Sequence, residues 1–216
     1  MEVTNQKKIT GGVYLVVDPA MDGSLLLSKL TSALEGKLEA VQLWNHWTPG
    51  DDKLECITAV GQLCRKHHVP LLIDSDWEML LQSSYLDGVH MDSIPADYAM
   101  IKQKIGRPFI AGVTCSGKLD VVQWADEQKL DYISFCAMFP SPSAGSCDIV
   151  MPATVRQAKG ITDLPLFVSG GITPDNIVVL RKQTPFDGVA VISGIMSAED
   201  PLRKVKLYQN ALTERY

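Results

Sequence analysis

The stretch Leu166-Phe167-Val168-Ser169 is short and apolar and ends at Gly170-Gly171; beyond Thr173-Pro174 come a helix-periodic segment, Pro174–Gln183, and a second apolar run, Gly188-Val189-Ala190-Val191-Ile192. Thr173 ahead of Pro174 places a capping residue before a proline at the first helical position, so the order reads strand, helix, strand. Neither run alternates apolar with polar residues, as a sheet buried on both faces requires. The same unit recurs upstream. Strands are predicted near Val13–Val17, Ala40–Trp44, Pro70–Ile73, Gly88–Met91, Phe109–Val113 and Tyr132–Phe135, which with the first two make eight. Helices are predicted over Ser24–Leu34, Lys53–His67, Trp77–Ser84, Ala96–Ile105, Leu119–Gln128, Ala153–Lys159, Pro174–Gln183 and Leu202–Leu212. Eight alternations give an α/β fold, a closed (β/α)8 TIM barrel, with residues 1–216 as a single domain. Asp52-Lys53-Leu54-Glu55 and Ser75-Asp76-Trp77-Glu78 read as capping boxes. The Ser/Pro/Gly-rich connection 136–152 is the one long loop, after the sixth strand where a barrel often carries a functional loop, and its composition would fit a lid.

Composition narrows the function. Of 216 residues 46% are hydrophobic, and 25 acidic against 20 basic residues give a net charge of -5 with no basic stripe, which argues against nucleic acid as a partner. No apolar run approaches the ~20 residues that span a bilayer, so no membrane is expected. The polar start Met1–Thr10 shows no secretory signal, and five cysteines without a C-x-x-C pair fit a reduced, cytoplasmic setting. A homo-oligomer is compatible with the sequence.

In such a barrel the chemistry sits just past the C-terminal ends of the strands. Ser169-Gly170-Gly171 and Ile192-Ser193-Gly194 end strands seven and eight in small residues, the position where backbone N–H groups close on a phosphate. Asp74, Asp76 and Asp92 come from adjacent strands and are candidates for one hard divalent ion, Mg²⁺. His46 and His90 stand at strand ends as candidate acid/base groups, and Trp44 and Trp47 flank His46 as a candidate wall for a planar ligand. Each has a bland alternative: glycines for tight turns, Asp76 or Ser75 as a helix cap, histidines as wall residues.

Val41-Gln42-Leu43, Asp87–Met91, Ala111–Thr114, Asp131-Tyr132-Ile133, Met138–Ser143, Ser169–Ile172 with Asn176, and Asp187–Ser193 together resemble the thiamine-phosphate synthase family, which includes a thiazole tautomerase branch. The resemblance runs over nearly the whole chain. It implies a barrel that joins a pyrimidine pyrophosphate to a thiazole phosphate, with Mg²⁺ helping pyrophosphate leave. It implies further that the thiazole phosphate meets Gly171, Ile192 and Ser193, with Gly170 in the same loop. Ser141 and Ser143 stand at the family's T-x-T pair, and Thr114 stands where the family has a serine that contacts the pyrimidine. The family's Q-x-R-E-K reads Gln42-Leu43-Trp44-Asn45-His46, so both cations are missing. The lysine after T-x-T is Ala144, Asn-Asp-Arg is Asp74-Ser75-Asp76, the second metal-binding Asp aligns with Pro95, and the tautomerase's histidine aligns with Ser116.

Three functions stay open on these residues. One is a synthase-type transferase with Gln42, Trp44, Asn45 and Thr114 around the pyrimidine. Another is a tautomerase or isomerase of a phosphorylated heterocycle, in which His46 or His90 moves a proton. The last is a non-catalytic binder of a small phosphorylated heterocycle that has lost the pyrophosphate cradle.

Overall fold

A computed structural model describes residues 8–141 and 148–214. Eight parallel strands pair in sequence order and close on themselves: β1 (Gly12–Val17), β2 (Ala40–Leu43), β3 (Leu71–Asp74), β4 (Gly88–Met91), β5 (Ile110–Thr114), β6 (Tyr132–Phe135), β7 (Leu166–Ser169) and β8 (Gly188–Val191). The helices are α1 (Gly23–Leu34), α2 (Lys53–Lys66), α3 (Met79–Gln82), α4 (Tyr98–Ile105), α5 (Leu119–Glu127), α6 (Pro152–Ala158), α7 (Pro174–Gln183), α8 (Ser193–Met196) and α9 (Pro201–Thr213). The predicted barrel is the observed one. No helix among the described residues is long and apolar enough to cross a membrane.

Two helical expectations need correction. The third helix shrinks to four residues, because Ser75 takes a left-handed backbone (φ 59°) and turns its hydroxyl to Asp74 and Asp92 instead of capping. A short α8 lies ahead of the last long helix, formed where Ile192–Gly194 reads as a strand end followed by a loop. By contrast Asp52 accepts from Glu55 N–H at 3.0 Å, and Thr173 closes a full capping box with Asn176.

The lower rim of the barrel is tied by one device used four times. Asp87, Asp131 and Asp187 each precede an even-numbered strand and exchange two hydrogen bonds with the first or second residue of the strand before it. Leu71 N–H donates to Asp87 Oδ2 at 2.9 Å and Asp87 N–H returns to the Leu71 carbonyl at 2.8 Å. Ala111 with Asp131 (2.7 and 2.8 Å) and Leu166 with Asp187 (2.7 and 2.8 Å) repeat it. Before β2 the longer Glu39 takes Thr10 and Gly11 N–H on its carboxylate while its own N–H donates to the Val13 carbonyl.

The helix-facing side chains of the strands form the larger core, with Leu15, Val41, Ile73, Val113, Ile133 and Val189 essentially inaccessible. Inside the barrel Tyr14, Leu72, Ile110, Tyr132 and Phe167 fill the lumen. Their bulk is accommodated by glycine on the neighbouring strand. A Cβ on Gly112 would lie 2.1 Å from the Tyr132 ring, and one on Gly188 would lie 2.3 Å from the Phe167 ring. Gly112→Ala therefore forces Tyr132 out of its seat, and an overpacked site of this kind costs about 3 kcal/mol; urea unfolding of the variant beside wild type measures it.

Candidate functional site

The C-terminal ends of the strands enclose a cavity of about 430 Å³. Tyr14, Tyr132 and Phe167 make its floor, with ring centroids 5.6–5.7 Å apart. Every strand then supplies wall residues: Val16, Gln42 with Trp44, Asp74, His90 with Asp92, Thr114 with Ser116, Ser134 with Cys136, Ser169 with Gly170, and Ala190 with Ile192; Ser141 closes the set. The cavity collects Gln42, Trp44, Asp74, His90, Asp92, Thr114, Ser141, Gly170 and Ile192 from the sequence expectations.

Four hydrogen bonds cross the floor. The Tyr14 hydroxyl donates to Gln42 Oε1 at 2.7 Å and lies 2.9 Å from the Tyr132 hydroxyl, which lies 2.9 Å from His90 Nδ1; His90 Nε2 is 2.8 Å from Thr114 Oγ1. Burial, partly offset by Asp92, lowers His90 to about 4, so the imidazole is neutral at pH 7. Burial raises both phenols above their usual range. Tyr14 and Tyr132 line the cavity without having been candidates in the sequence; both sit inside apolar runs with no turn or charge to mark them. Their period-two spacing from Val16 and Ser134 was the available signal.

The acidic side is built around Ser75. Its hydroxyl stands 2.9 Å from Asp74 Oδ1 and 3.2 Å from Asp92 Oδ2, and Asn45 N–H donates to Asp74 Oδ2 at 3.2 Å. Burial and then the neighbouring Asp92 push the Asp74 carboxyl up to about 6. The three predicted carboxylates do not converge: Asp76 is held by Lys53 Nζ at 2.8 Å and does not line the cavity. Among the described residues no group of three His, Cys, Asp or Glu side chains is arranged to hold a metal.

Other expectations are also displaced. His46 lies outside the cavity wall, with its ring 59% exposed and Nδ1 3.0 Å from Asp18, because the loop after β2 turns it outward beside Trp44. Asn45 reaches the site through its backbone only. Trp47 leaves Trp44 and packs toward α1 and α2 under Lys53. Gly171 and Ser193 stand just behind the wall that Gly170 and Ile192 form. Gly171 has φ 65°, and a Cβ there would meet Phe139 and the Pro140 carbonyl at 2.8 Å, so glycine is required by backbone conformation and packing together. Ser143 and the rest of 142–147, the central part of the long loop, lie outside the described residues.

The raised Asp74 gives a pH test. Its folded-state value of about 6 lies above the ordinary 3.8, so the carboxyl holds a proton more readily folded than unfolded. Its contribution to stability is fullest below the ordinary value and is lost as pH rises through the folded value. Asp74→Asn removes that loss, with an expected gain of about 2 kcal/mol at about pH 7.5 and none near pH 3.5; urea titrations at the two pH values check both.

The model of the family described as thiamine monophosphate synthase matches residues 13–195, from β1 into α8. The chain is 30% identical over 203 residues to thiamine-phosphate synthase of Xanthomonas campestris pv. campestris (strain 8004), covering 94% of this chain and 96% of that protein. It is 30% identical over 197 residues to thiamine-phosphate synthase of Azoarcus sp. (strain BH72), covering 91% and 95%. Thiamine phosphate pyrophosphorylase from Pyrococcus furiosus superposes with a TM-score of 0.79 at 22% identity, 96% of each chain being covered. (S)-3-O-geranylgeranylglyceryl phosphate synthase from Thermoplasma acidophilum, solved with sn-glycerol-1-phosphate, shares the fold at a TM-score of 0.69 and 15% identity. With the match running through all eight strands that build the cavity, the chain belongs to the thiamine monophosphate synthase family.

Proposed function

We propose that this chain is a thiamine-phosphate synthase-like transferase of thiamine biosynthesis, joining a pyrimidine pyrophosphate to a thiazole phosphate with release of pyrophosphate. The observation that carries this reading is the family match across every strand end of the cavity. The thiazole nitrogen forms a bond to the pyrimidine methylene carbon as the bond from that carbon to pyrophosphate oxygen breaks. Both electrons of the broken bond leave with pyrophosphate, and the ring nitrogen becomes cationic. The thiazole phosphate lies against Gly170, Gly171 and the Ile192-Ser193 turn. Ser141 borders the cavity nearby. Gln42 and Thr114 hold the pyrimidine, with Trp44 as its wall. This catalysis is positioning and electrostatics.

Charge decides the role of the acidic pair. Asp74 and Asp92 face the cavity, while no Lys or Arg is among its described lining residues. Two carboxylates favour the cation that develops on the heterocycles and oppose pyrophosphate. The Asp92 charge that helps raise Asp74 is the kind a divalent ion relieves, and Mg²⁺ takes one or two protein carboxylates beside waters and phosphates. Asp74 and Asp92 therefore fit as its holders, and when bound it supplies charge neutralisation to the departing pyrophosphate.

The setting we propose is cytoplasmic, in keeping with the free thiols of Cys56 and Cys115, with residues 1–216 as one domain. A second reading, a binder or a proton-transferring enzyme for a phosphorylated heterocycle, is favoured by the missing cations and by the neutral His90 beside Thr114.

Purified protein with both substrates and Mg²⁺ is expected to form thiamine phosphate, to stop on chelation, and to need more Mg²⁺ as Asp92→Asn. Thr114→Val should lower kcat/KM roughly tenfold through one lost hydrogen bond. Thiazole phosphate binding without product would move the chain to the second reading, and neither binding nor product would overturn both.

A further inference from the structure

We propose that Tyr14 and Tyr132 are positioning residues that fix His90 as the form carrying hydrogen on Nδ1 and turn the Gln42 amide so that its N–H₂ faces the ligand. The floor is a single file of groups, Gln42, Tyr14, Tyr132 and His90, in which each hydroxyl has one hydrogen to give. Such a file has two self-consistent directions. In one, Tyr14 donates to Gln42 Oε1, Tyr132 donates to Tyr14, and His90 Nδ1–H donates to Tyr132. In the other, the amide is turned, Gln42 N–H donates to Tyr14, and every later link reverses, so that Nδ1 accepts.

The structure selects the first direction. Gln42 places Oε1, not Nε2, against Tyr14, and their separation of 2.7 Å is that of an O–H···O bond. The 2.9 Å between Nδ1 and the Tyr132 hydroxyl is hydrogen-bond distance, and with Tyr132 giving its one hydrogen to Tyr14 it is Nδ1–H that donates there. Both phenols keep their hydrogens, since burial holds them protonated. Gln42 is 4% exposed and lines the cavity, so with Oε1 engaged its N–H₂ is the group offered there. The tyrosines act through Gln42 and His90, to which Tyr14 and Tyr132 respectively are hydrogen-bonded. They set the direction that both ends inherit.

The direction is measurable without turnover. In ¹⁵N-histidine-labelled protein, with His90 assigned among the four histidines by the signals lost in His90→Gln, Nδ1 is expected to give a pyrrole-type signal at neutral pH. A pyridine-type Nδ1 would overturn the proposal. Tyr14→Phe leaves the Tyr132 hydrogen no acceptor on the floor except His90 Nδ1, so this signal is expected to convert from pyrrole-type to pyridine-type. A packing role alone leaves it unchanged, and that result would also overturn the assignment. Should Tyr14→Phe fail to fold, Tyr132→Phe keeps the ring over Gly112 and removes the acceptor from Nδ1; a single unchanged Nδ1–H form would then count against it. In the turnover assay, which rests on the synthase reading, Tyr14→Phe is expected to lower kcat/KM about tenfold. The spectra report on the floor whether or not the chain turns over, so the two ideas fail separately.

Discussion

The ring of Tyr132 occupies the space that Gly112 leaves empty, and the rest of the cavity depends on that fit. Seated there, its hydroxyl meets Tyr14 on one side and His90 on the other, while its ring packs edge-on against Phe167. A larger residue at 112 would lift the floor into the volume where a ligand must sit. A tyrosine without its hydroxyl would leave a dry floor and an imidazole with no partner below it. Packing and polarity are therefore set by the same side chain, which is why the wall above can be made of small hydroxyl residues and still be ordered.

Above this floor the site is electrostatically lopsided. The carboxylates of Asp74 and Asp92 share one serine hydroxyl on the β3/β4 side, and the opposite side, at Ser169, Gly170 and Ile192, is uncharged. That separation matches a ligand with a cationic ring toward the acids and an anionic tail toward the glycine loop. It also explains why Lys53 matters less than its charge suggests: the ammonium is spent on Asp76, outside the wall.

The barrel was legible because strands buried on both faces must be near-continuously apolar, and the helices between them begin at readable caps such as Asp52 and Thr173. The same apolar continuity hid Tyr14 and Tyr132, since it conceals which residues point inward. Gly88 and Gly188 open their apolar runs with nothing to mark them as the places where Ile110 and Phe167 approach too closely for a Cβ. Asp74, His90 and Thr114 line the cavity and stood out as candidates because strand ends are marked by the change from apolar to polar. His46 met the same rule, yet the chain had already left the barrel axis by then, and Asp18 caught the ring outside. Side-chain direction past a strand end is a tertiary property that no local pattern carries.

The acid-to-backbone ties below β2, β4, β6 and β8 carry a consequence for how this chain changes over time. Strand register is secured at the bottom rim by groups that take no part in the mouth, so the two ends of the barrel answer to different pressures. A cation lost from the end of β2, or a carboxylate gained after β3, alters what the mouth attracts without loosening a single strand. A lineage can thus rewrite the chemistry of the upper face step by step on an unaltered frame.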